Sequence, residues 1–290
     1  MLRPESTVAT VPSMPELPEV ERGRRMAAEV AEGRLIRRVK CDDDRIVIDG
    51  VAPRTLARTL TGRTVRSVER LGKQLWFELD RPPMPLFHFG MTGAFHVPDG
   101  GHLQLESGID PGSEWPPRFW KIQLEFDDGG RLSMTSARRF GRIKLRKSPR
   151  DEPPLSKLGF DPLLSMPTAA AFAKRIAGRK VTLKGLLLDQ SFAAGVGNWI
   201  ADEVLYQARL DPRRRAESLD ESEVRALRRC LGSVIRTAVR VNAEKSRLPR
   251  AWLFHHRWGR QDGAALRDGT PIEHLTLAGR TTAWVPSRQH

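Results

Sequence analysis

The sequence has few cysteines and no long apolar run. Its two cysteines, Cys41 and Cys230, lie far apart in a chain of 290 residues, so neither belongs to a C-x-x-C pair and no sulfur-based metal site is expected. No run of about 18 apolar residues could span a bilayer, and residues 1–13 lack the basic start and apolar centre of a secretory signal. We therefore expect reduced thiols and a cytoplasmic protein, associated with the nucleoid if the source is bacterial.

Acidic residues are scarce relative to basic ones. The chain has 49 Lys and Arg against 35 Asp and Glu, which gives a formal net charge of +14 and a pI near 10.7. A positive surplus of this size makes a polyanion the expected partner, with nucleic acid first and an anionic membrane surface second. The length indicates two domains, or one domain with an appendage.

Local periodicity describes the first half of the chain. Residues 1–13 show no helical or strand period, and we interpret them as a leader that is disordered or not translated. One amphipathic helix is expected after Met14 and should end at Gly33. From about 35 to 147 apolar residues alternate with polar ones, with a hairpin turn at 127–130. This pattern predicts an antiparallel β-sandwich.

The composition changes after a charged, proline-rich stretch at 146–154, which is typical of a linker. Between this linker and the final forty residues, helices are expected at about 167–178, 181–189, 198–208 and 219–242. The final forty residues return to short strands and turns, so the whole chain is expected to be of the α+β class.

The Met14-Pro15-Glu16 tripeptide raises a chemical alternative. An internal proline nitrogen is an amide, whereas a terminal proline is a secondary amine that is partly neutral at cellular pH. Such an amine can form a Schiff base with an aldehyde-level carbon, and the carboxyl group of Glu16 could transfer protons to the same carbon. The other interpretation is that these three residues only begin a helix.

A glycine-rich turn precedes the expected helix at 198–208. Gly195 and Gly197 permit close backbone approach, and Asn198 is predicted to be the N-cap. The exposed N–H groups of a helix start favour phosphate, so this turn is a candidate anion site.

Six stretches follow one another along the chain: "MPELPEVE", "RLGKQLWFEL", "HFGMTG", "SARRFG", "LGFDPL" and "DQSFAAGVGNWIADEVLYQARLDPRR". In this order they resemble the formamidopyrimidine-DNA glycosylase family (Fpg/MutM and its relative Nei). The resemblance extends over essentially the whole chain after residue 13. It implies the fold of this family of DNA-repair enzymes, in which a helix-two-turn-helix domain follows the β-sandwich.

The resemblance assigns the chemistry to the first motif. In the family the initiator Met is removed, so Pro15 is expected to attack C1′ of a damaged nucleoside, expel the base and cleave the strand by β- and δ-elimination. Glu16 is then its acid/base partner. Lys73 in the second motif is expected to contact the damaged nucleoside and its flanking phosphates. Glu19 matches the family's second acidic residue, and a favourable charge in the first helical turn explains it equally well.

The other motifs imply contacts with DNA. Met91, Arg138 and Phe140 correspond to the wedge that fills the gap left by an extruded base, which offsets part of the cost of unstacking. Asn198 corresponds to an asparagine that grips a phosphate beside the lesion.

The end of the chain departs from the family pattern. Many relatives close with a zinc finger of two C-x-x-C pairs, but this chain has no cysteine after Cys230. We expect a zincless finger, a β-hairpin held by packing, in which Arg280 keeps the phosphate-gripping role and no metal is bound. The four sulfur positions of the finger correspond to Ala265, Asp268, Val285 and Arg288.

Taken as a whole, the resemblance implies a bifunctional DNA glycosylase and apurinic/apyrimidinic lyase that acts as a monomer on damaged double-stranded DNA without a cofactor and without a membrane. The lesion stays open among formamidopyrimidines, 8-oxoguanine and oxidised pyrimidines, because the segment at 242–250 is short where many relatives have a longer loop. Two alternatives remain: a non-catalytic binder of damaged DNA, if residues 1–13 are retained, and a basic RNA-associated protein. The expected parts are a leader at 1–13, a catalytic β-sandwich at 14–147, a helix-two-turn-helix domain at 148–245 and a hairpin at 246–290.

Overall fold

The computed structural model describes residues 14–98, 114–258 and 263–290. The expected leader at 1–13 lies outside the described residues. Within them, no helix is long and apolar enough to cross a membrane.

The first helix, α1 (Leu17–Ala31), forms where the sequence predicts it. Glu16 is its N-cap, and a capping box joins the Glu16 backbone N–H to the carboxylate of Glu19 at 3.0 Å. Pro18 lies in the first turn, where its missing N–H costs nothing. Gly33 follows the helix with a φ of +77°, a left-handed conformation that ends the run.

The predicted antiparallel β-sandwich is confirmed as two four-stranded sheets. The elements are β1 (Ile36–Cys41), α2 (Pro53–Leu60), β2 (Val65–Leu71), β3 (Gln74–Leu79), β4 (Met84–His88), β5 (Ala94–His96), β6 (Trp120–Phe126), β7 (Arg131–Thr135) and β8 (Arg142–Arg146). One sheet has the strand order β1-β6-β7-β5, and the other has the order β2-β3-β4-β8. Phe126 donates its backbone N–H to the Gly130 carbonyl at 2.8 Å, which closes the predicted hairpin between β6 and β7.

A group of aromatic side chains lies in the largely aliphatic core of the sandwich. Trp76, Phe77 and Phe87 are completely buried, and the rings of Phe77 and Phe87 lie 5.1 Å apart. Phe95 packs against Phe87 edge to face at 5.2 Å. These large apolar groups contribute to the burial that stabilises the two sheets, together with the surrounding Val, Ile and Leu side chains.

The second half of the chain is helical, as its composition predicts. The long helix α6 begins at the N-cap Asp220, whose carboxylate accepts the N–H of Glu223 at 2.9 Å. Its apolar side packs on α5, with Leu231, Val234 and Ile235 completely buried. The helices are α3 (Ala169–Ile176), α4 (Leu183–Leu188), α5 (Asn198–Ala208) and α6 (Glu221–Arg240).

A two-stranded hairpin ends the described chain, with β9 (Glu273–Leu277) antiparallel to β10 (Arg280–Trp284). Asp268 and Arg288, at two of the four positions that the resemblance aligns with the sulfurs of a finger, form an ion pair, and Arg288 also donates to the Tyr206 hydroxyl at 3.0 Å. A third position, Val285, is completely buried in the small apolar core beneath the hairpin. The hairpin is thus tied to α5 by side-chain contacts.

A buried ion network joins the sandwich to the helical part. The guanidinium of Arg70 donates to Glu21 at 2.9 Å and to Asp161 at 2.6 Å. The same Asp161 carboxylate accepts the Gly72 N–H at 2.8 Å. Because all three charged groups are buried, each depends on the others for its hydrogen bonds.

Candidate functional site

A cleft of about 840 Å³ lies where the start of α1 meets the start of α5, the β3–β4 sheet and the terminal hairpin. Pro15 lines a small neighbouring pocket together with Glu19. The fold therefore collects residues that are distant in sequence. The predicted site residues that line the cleft are Glu16, Lys73, Met91, Asn198 and Arg280.

The carboxylate of Glu16 binds the first turn of α5. It accepts backbone N–H groups from Gly197 at 2.9 Å, Trp199 at 2.8 Å and Ile200 at 3.1 Å. The next peptide unit adds a further link, since the Leu17 N–H donates to the Gly195 carbonyl at 3.0 Å. The residue that follows Pro15 is thus held by the helix dipole and by three donors.

This arrangement corrects the prediction made for Asn198. Gly197 is the N-cap of α5, and Asn198 is the first helical residue. A Cβ on Gly197 would lie 2.3 Å from the Glu16 carboxyl carbon, so only glycine fits there. The free N–H groups expected to attract phosphate are occupied by Glu16. The N-cap prediction was wrong: Gly197 takes that position, and the anion at this helix start comes from a segment 181 residues earlier in the chain.

The titratable groups around Pro15 are strongly perturbed. Burial raises the pKa of Glu16, and it raises that of Glu19 to about 7 with a further contribution from repulsion by Glu16. Burial also lowers the pKa of Lys73, against the opposing pull of both carboxylates. Burial thus favours the neutral forms of a lysine and two acids within one site, a state suited to proton transfer.

Two loops meet on the sandwich side of the cleft. Met91 lines the cleft, while Arg138 and Phe140 lie on the exposed loop between β7 and β8. The loops touch: a Cβ on Gly90 would lie 2.3 Å from the backbone of Phe140, and Thr92 accepts the N–H of Arg138 at 3.2 Å. The Arg138 guanidinium lies 5.3 Å from the centre of the Phe140 ring. Phe140 is 49% exposed, which is unusual for so large an apolar side chain.

The two predicted phosphate contacts are linked through the hairpin. The side-chain N–H₂ of Asn198 donates to the Thr281 carbonyl at 2.8 Å, and Arg280 is the adjacent, exposed residue. The Oδ1 atom of Asn198 is buried and has no hydrogen-bond partner among the described residues. Asn198 therefore holds the hairpin and keeps an unused acceptor.

Asp202 anchors the same region. Its carboxylate pairs with Lys184, accepts from Arg257 Nε at 3.1 Å and accepts the Ala283 N–H of β10 at 3.2 Å. Lys184 also donates to the Asn198 carbonyl at 2.8 Å. One buried charge thus joins α4, α5, the segment before the hairpin and the hairpin itself.

Sequence reasoning missed several residues of the cleft. His88 lines it, and burial together with the charges of Lys73 and Arg142 lowers the pKa of its imidazole to about 4. Gln190 donates to the Val196 carbonyl at 2.8 Å and accepts the Gly195 N–H at 3.0 Å, which shapes the glycine turn. Both residues stand inside the quoted motifs, but no local periodicity distinguishes them.

The described residues contain no group of three or more His, Cys, Asp or Glu side chains that could hold a metal ion. The cleft and the small pocket beside it bring together Pro15, the acids Glu16 and Glu19, a lysine of lowered pKa and the basic side chains of Arg257 and Arg280.

Known protein families match most of the chain. The model of the formamidopyrimidine-DNA glycosylase N-terminal domain matches residues 14–143, and that of the formamidopyrimidine-DNA glycosylase H2TH domain matches 158–249. A formamidopyrimidine-DNA glycosylase from Arabidopsis thaliana is 44% identical over 93% of this chain and 69% of its own. One from Geobacillus kaustophilus is 34% identical over 93% of this chain and 97% of its own.

Solved structures share the fold. The complex between Lactococcus lactis Fpg and an abasic site containing DNA has a TM-score of 0.78 and 24% sequence identity, and the match covers 95% of this chain and 99% of that one. The similarity extends through the sandwich, the helices and the hairpin.

Proposed function

The chain belongs to the formamidopyrimidine-DNA glycosylase family and is a DNA glycosylase of base excision repair, and we propose that it also cleaves the strand through a Schiff base on Pro15. Its substrates are oxidised bases in double-stranded DNA, formamidopyrimidines first and 8-oxoguanine as a further candidate. It acts as a monomer and without a cofactor.

The observation that carries the proposal is the environment of Pro15. Its neighbour Glu16 is held by three backbone N–H groups of α5, while Glu19 and Lys73 have pKa values displaced toward their neutral forms. A terminal amine fixed beside such groups is positioned to attack C1′. The C1′–N bond breaks as the C1′–N(Pro15) bond forms, and the base leaves with a proton from a nearby acid.

The later steps need proton transfers at the same place. The Pro15 nitrogen then loses its proton, the C1′–O4′ bond breaks as O4′ takes up a proton, and an iminium joins Pro15 to C1′. A base removes a C2′ proton and the 3′-phosphate leaves in β-elimination, and removal of the C4′ proton then expels the 5′-phosphate in δ-elimination. Glu16 and Lys73 are our candidates for these transfers, with Glu19 in a supporting role, since proton transfer is most efficient for groups whose pKa lies near the working pH.

Binding of DNA is assigned to the rim of the cleft. Arg280 and Asn198 are the proposed phosphate contacts, and Met91, Arg138 and Phe140 are the proposed wedge. The net charge of +14 supports a polyanionic partner. A solved structure of the same fold contains DNA: the complex between Lactococcus lactis Fpg and an abasic site containing DNA.

The decisive experiment is covalent trapping. Protein that begins at Pro15 is incubated with a DNA duplex that contains an abasic site, in the presence of borohydride. Borohydride should reduce the Schiff base to a stable protein–DNA adduct, and peptide mass spectrometry should locate that adduct on Pro15. The matched control is the full chain from Met1, in which the Pro15 nitrogen is an amide and no adduct should form. Absence of an adduct with the protein that begins at Pro15 would refute the lyase mechanism.

One observation favours a second candidate function. Met14 itself lines the cleft, so a chain that retains it fills part of the site and leaves Pro15 inert. Such a protein would bind damaged DNA without cutting it. The amino-terminal residue of the protein made in its own cell discriminates the two, and we expect Pro15 there, after translation from Met14 and removal of that Met.

A further inference from the structure

The loop that carries Arg138 and Phe140 is tied to a carboxylate on another segment. Between these two residues, Arg139 donates from Nε to Asp44 Oδ2 at 2.8 Å and from Nη2 to Oδ1 at 3.0 Å. A two-point contact fixes the orientation of the guanidinium as well as its position. The loop is therefore connected to the segment between β1 and α2.

Asp44 is itself rigidly held. It is 5% exposed, and its Oδ1 atom accepts the backbone N–H groups of Ile46 at 3.1 Å and Val47 at 3.2 Å. Lys121 on β6 lies 3.0 Å from Oδ2. Although burial alone would raise it, the bonds from Arg139 and Lys121 hold the pKa of Asp44 well below its usual range. The carboxylate is a fixed, ionised anchor.

The backbone of Arg139 is in an unfavourable conformation that this anchor offsets. Its φ is +56°, in the left-handed region, which is unfavourable for a non-glycine residue. In this conformation the Arg139 side chain reaches Asp44, while Arg138 and Phe140 on either side remain in solvent. A free loop would have little reason to hold a large apolar ring outward.

We propose that Asp44 is a positioning residue for the base-gap wedge. Through its hydrogen bonds to Arg139, Asp44 holds Arg138 and Phe140 in the conformation in which they enter the duplex, before any DNA is bound. A loop that is already ordered loses less conformational entropy when DNA binds. More of the free energy of its contacts with DNA can therefore offset the cost of unstacking the extruded base. This inference rests on the proposed function, because the wedge acts only if a base is extruded.

The test is a double-mutant cycle between Asp44 and Phe140. Asp44→Asn should lower the excision rate on a formamidopyrimidine duplex about tenfold, a loss typical of a misplaced contact group. Phe140→Ala should lower it as well, and the double variant should be little slower than the slower single one, since both changes remove the same wedge. Asp42→Asn is the matched control: it removes a carboxylate 2.7 Å from Lys121 and leaves Arg139 untouched.

A second variant and a second readout separate positioning from folding. The Arg139 side chain is 51% exposed, so Arg139→Gln breaks the contact without removing a buried group, and it should reproduce the loss of rate with a smaller fall in melting temperature than Asp44→Asn. The second readout is the fluorescence of a 2-aminopurine placed in the DNA next to an abasic analogue, which rises when that base is unstacked. The fluorescence should be lower in the complex with Asp44→Asn than in the complex with the parent protein.

The outcomes are distinguishable. Additive losses in the cycle, or equal rates for Asp44→Asn and the parent, would overturn the positioning role while parent protein that begins at Pro15 still traps on abasic DNA. Failure of that parent protein to trap would instead sink the proposed lyase function itself.

Discussion

The carboxylate of Glu16 and the backbone N–H of Trp199 are joined by a hydrogen bond of 2.8 Å, although 183 residues separate them in the chain. The bond places the residue after Pro15 at the positive end of α5. The residue just before α1 is thereby bonded to the first turn of α5, so a shift of α5 would strain the bonds that hold the residue next to Pro15.

The close contact at Gly197 predicts that this position tolerates no side chain. In Gly197→Ala the new Cβ would meet the Glu16 carboxyl group, so we expect a loss of about 1–3 kcal/mol in the free energy of unfolding and a larger fractional loss of excision. Urea unfolding and single-turnover excision measure the two effects. Gly33→Ala is the control: nothing lies within 4 Å of its Cβ, so only left-handed strain of about 1–2 kcal/mol should appear, with activity retained.

Glu19 should make stability fall as the pH rises. Its pKa is about 7 in the folded protein against an ordinary 4.5, so between these values the folded chain holds a proton that the unfolded chain has lost. The contribution is complete below about pH 4.5 and disappears as the pH passes about 7, by at most about 3 kcal/mol. Urea unfolding from pH 4.5 to 8 should show this decline relative to Glu19→Gln. Parallel curves for the two proteins would refute the shifted pKa.

Arg280 should act as a phosphate contact. Arg280→Ala is expected to weaken binding of all DNA duplexes to a similar degree and to reduce the slope of log affinity against log salt by about 1. Fluorescence anisotropy at several salt concentrations measures both quantities. Arg58→Ala on α2, outside the cleft, should leave the slope unchanged. An equal change of slope in the two variants would show only a loss of general charge.

Asp202 should be essential for the hairpin. Asp202→Ala leaves Lys184 and Arg257 buried without their anion, and breaking a buried pair in this way costs about 3–5 kcal/mol. We expect a correspondingly lower melting temperature and faster amide exchange in β10. Glu221→Ala, which removes an exposed ion pair with Arg225, should cost less than about 1 kcal/mol. Similar losses for both variants would contradict the anchoring role.

Much of the fold could be predicted because its signals are local. The helix after Met14, the hairpin at 127–130 and the four helices of the second half follow from periodicity and turn residues within short windows. The family resemblance, confirmed by both domain models, added the order of the parts. The boundaries expected at 147 and 245 stay predictions, as do the chemical roles of the site residues.

The site was less predictable where contacts are long-range. The sequence indicated that the start of α5 is an anion site, and that physical expectation is sound, but Glu16 supplies the anion there. Likewise, the sequence around Asp44 does not indicate a contact with Arg139. The two residues come together only because β8 pairs with the segment at 42–49 in the folded protein.

The sequence alone indicated a polyanionic partner and the α+β class, and it marked the stretch "MPELPEVE" as the predicted place of the chemistry, because charge, periodicity and motif order are properties of the chain itself. Tertiary structure decided which groups share the cleft. The perturbed pKa values of Glu19, Lys73 and His88 arise from burial and from neighbouring charges that the fold brings together. Desolvation and Coulomb energies depend on the distances between groups in space. They cannot be read from the separation of residues along the chain.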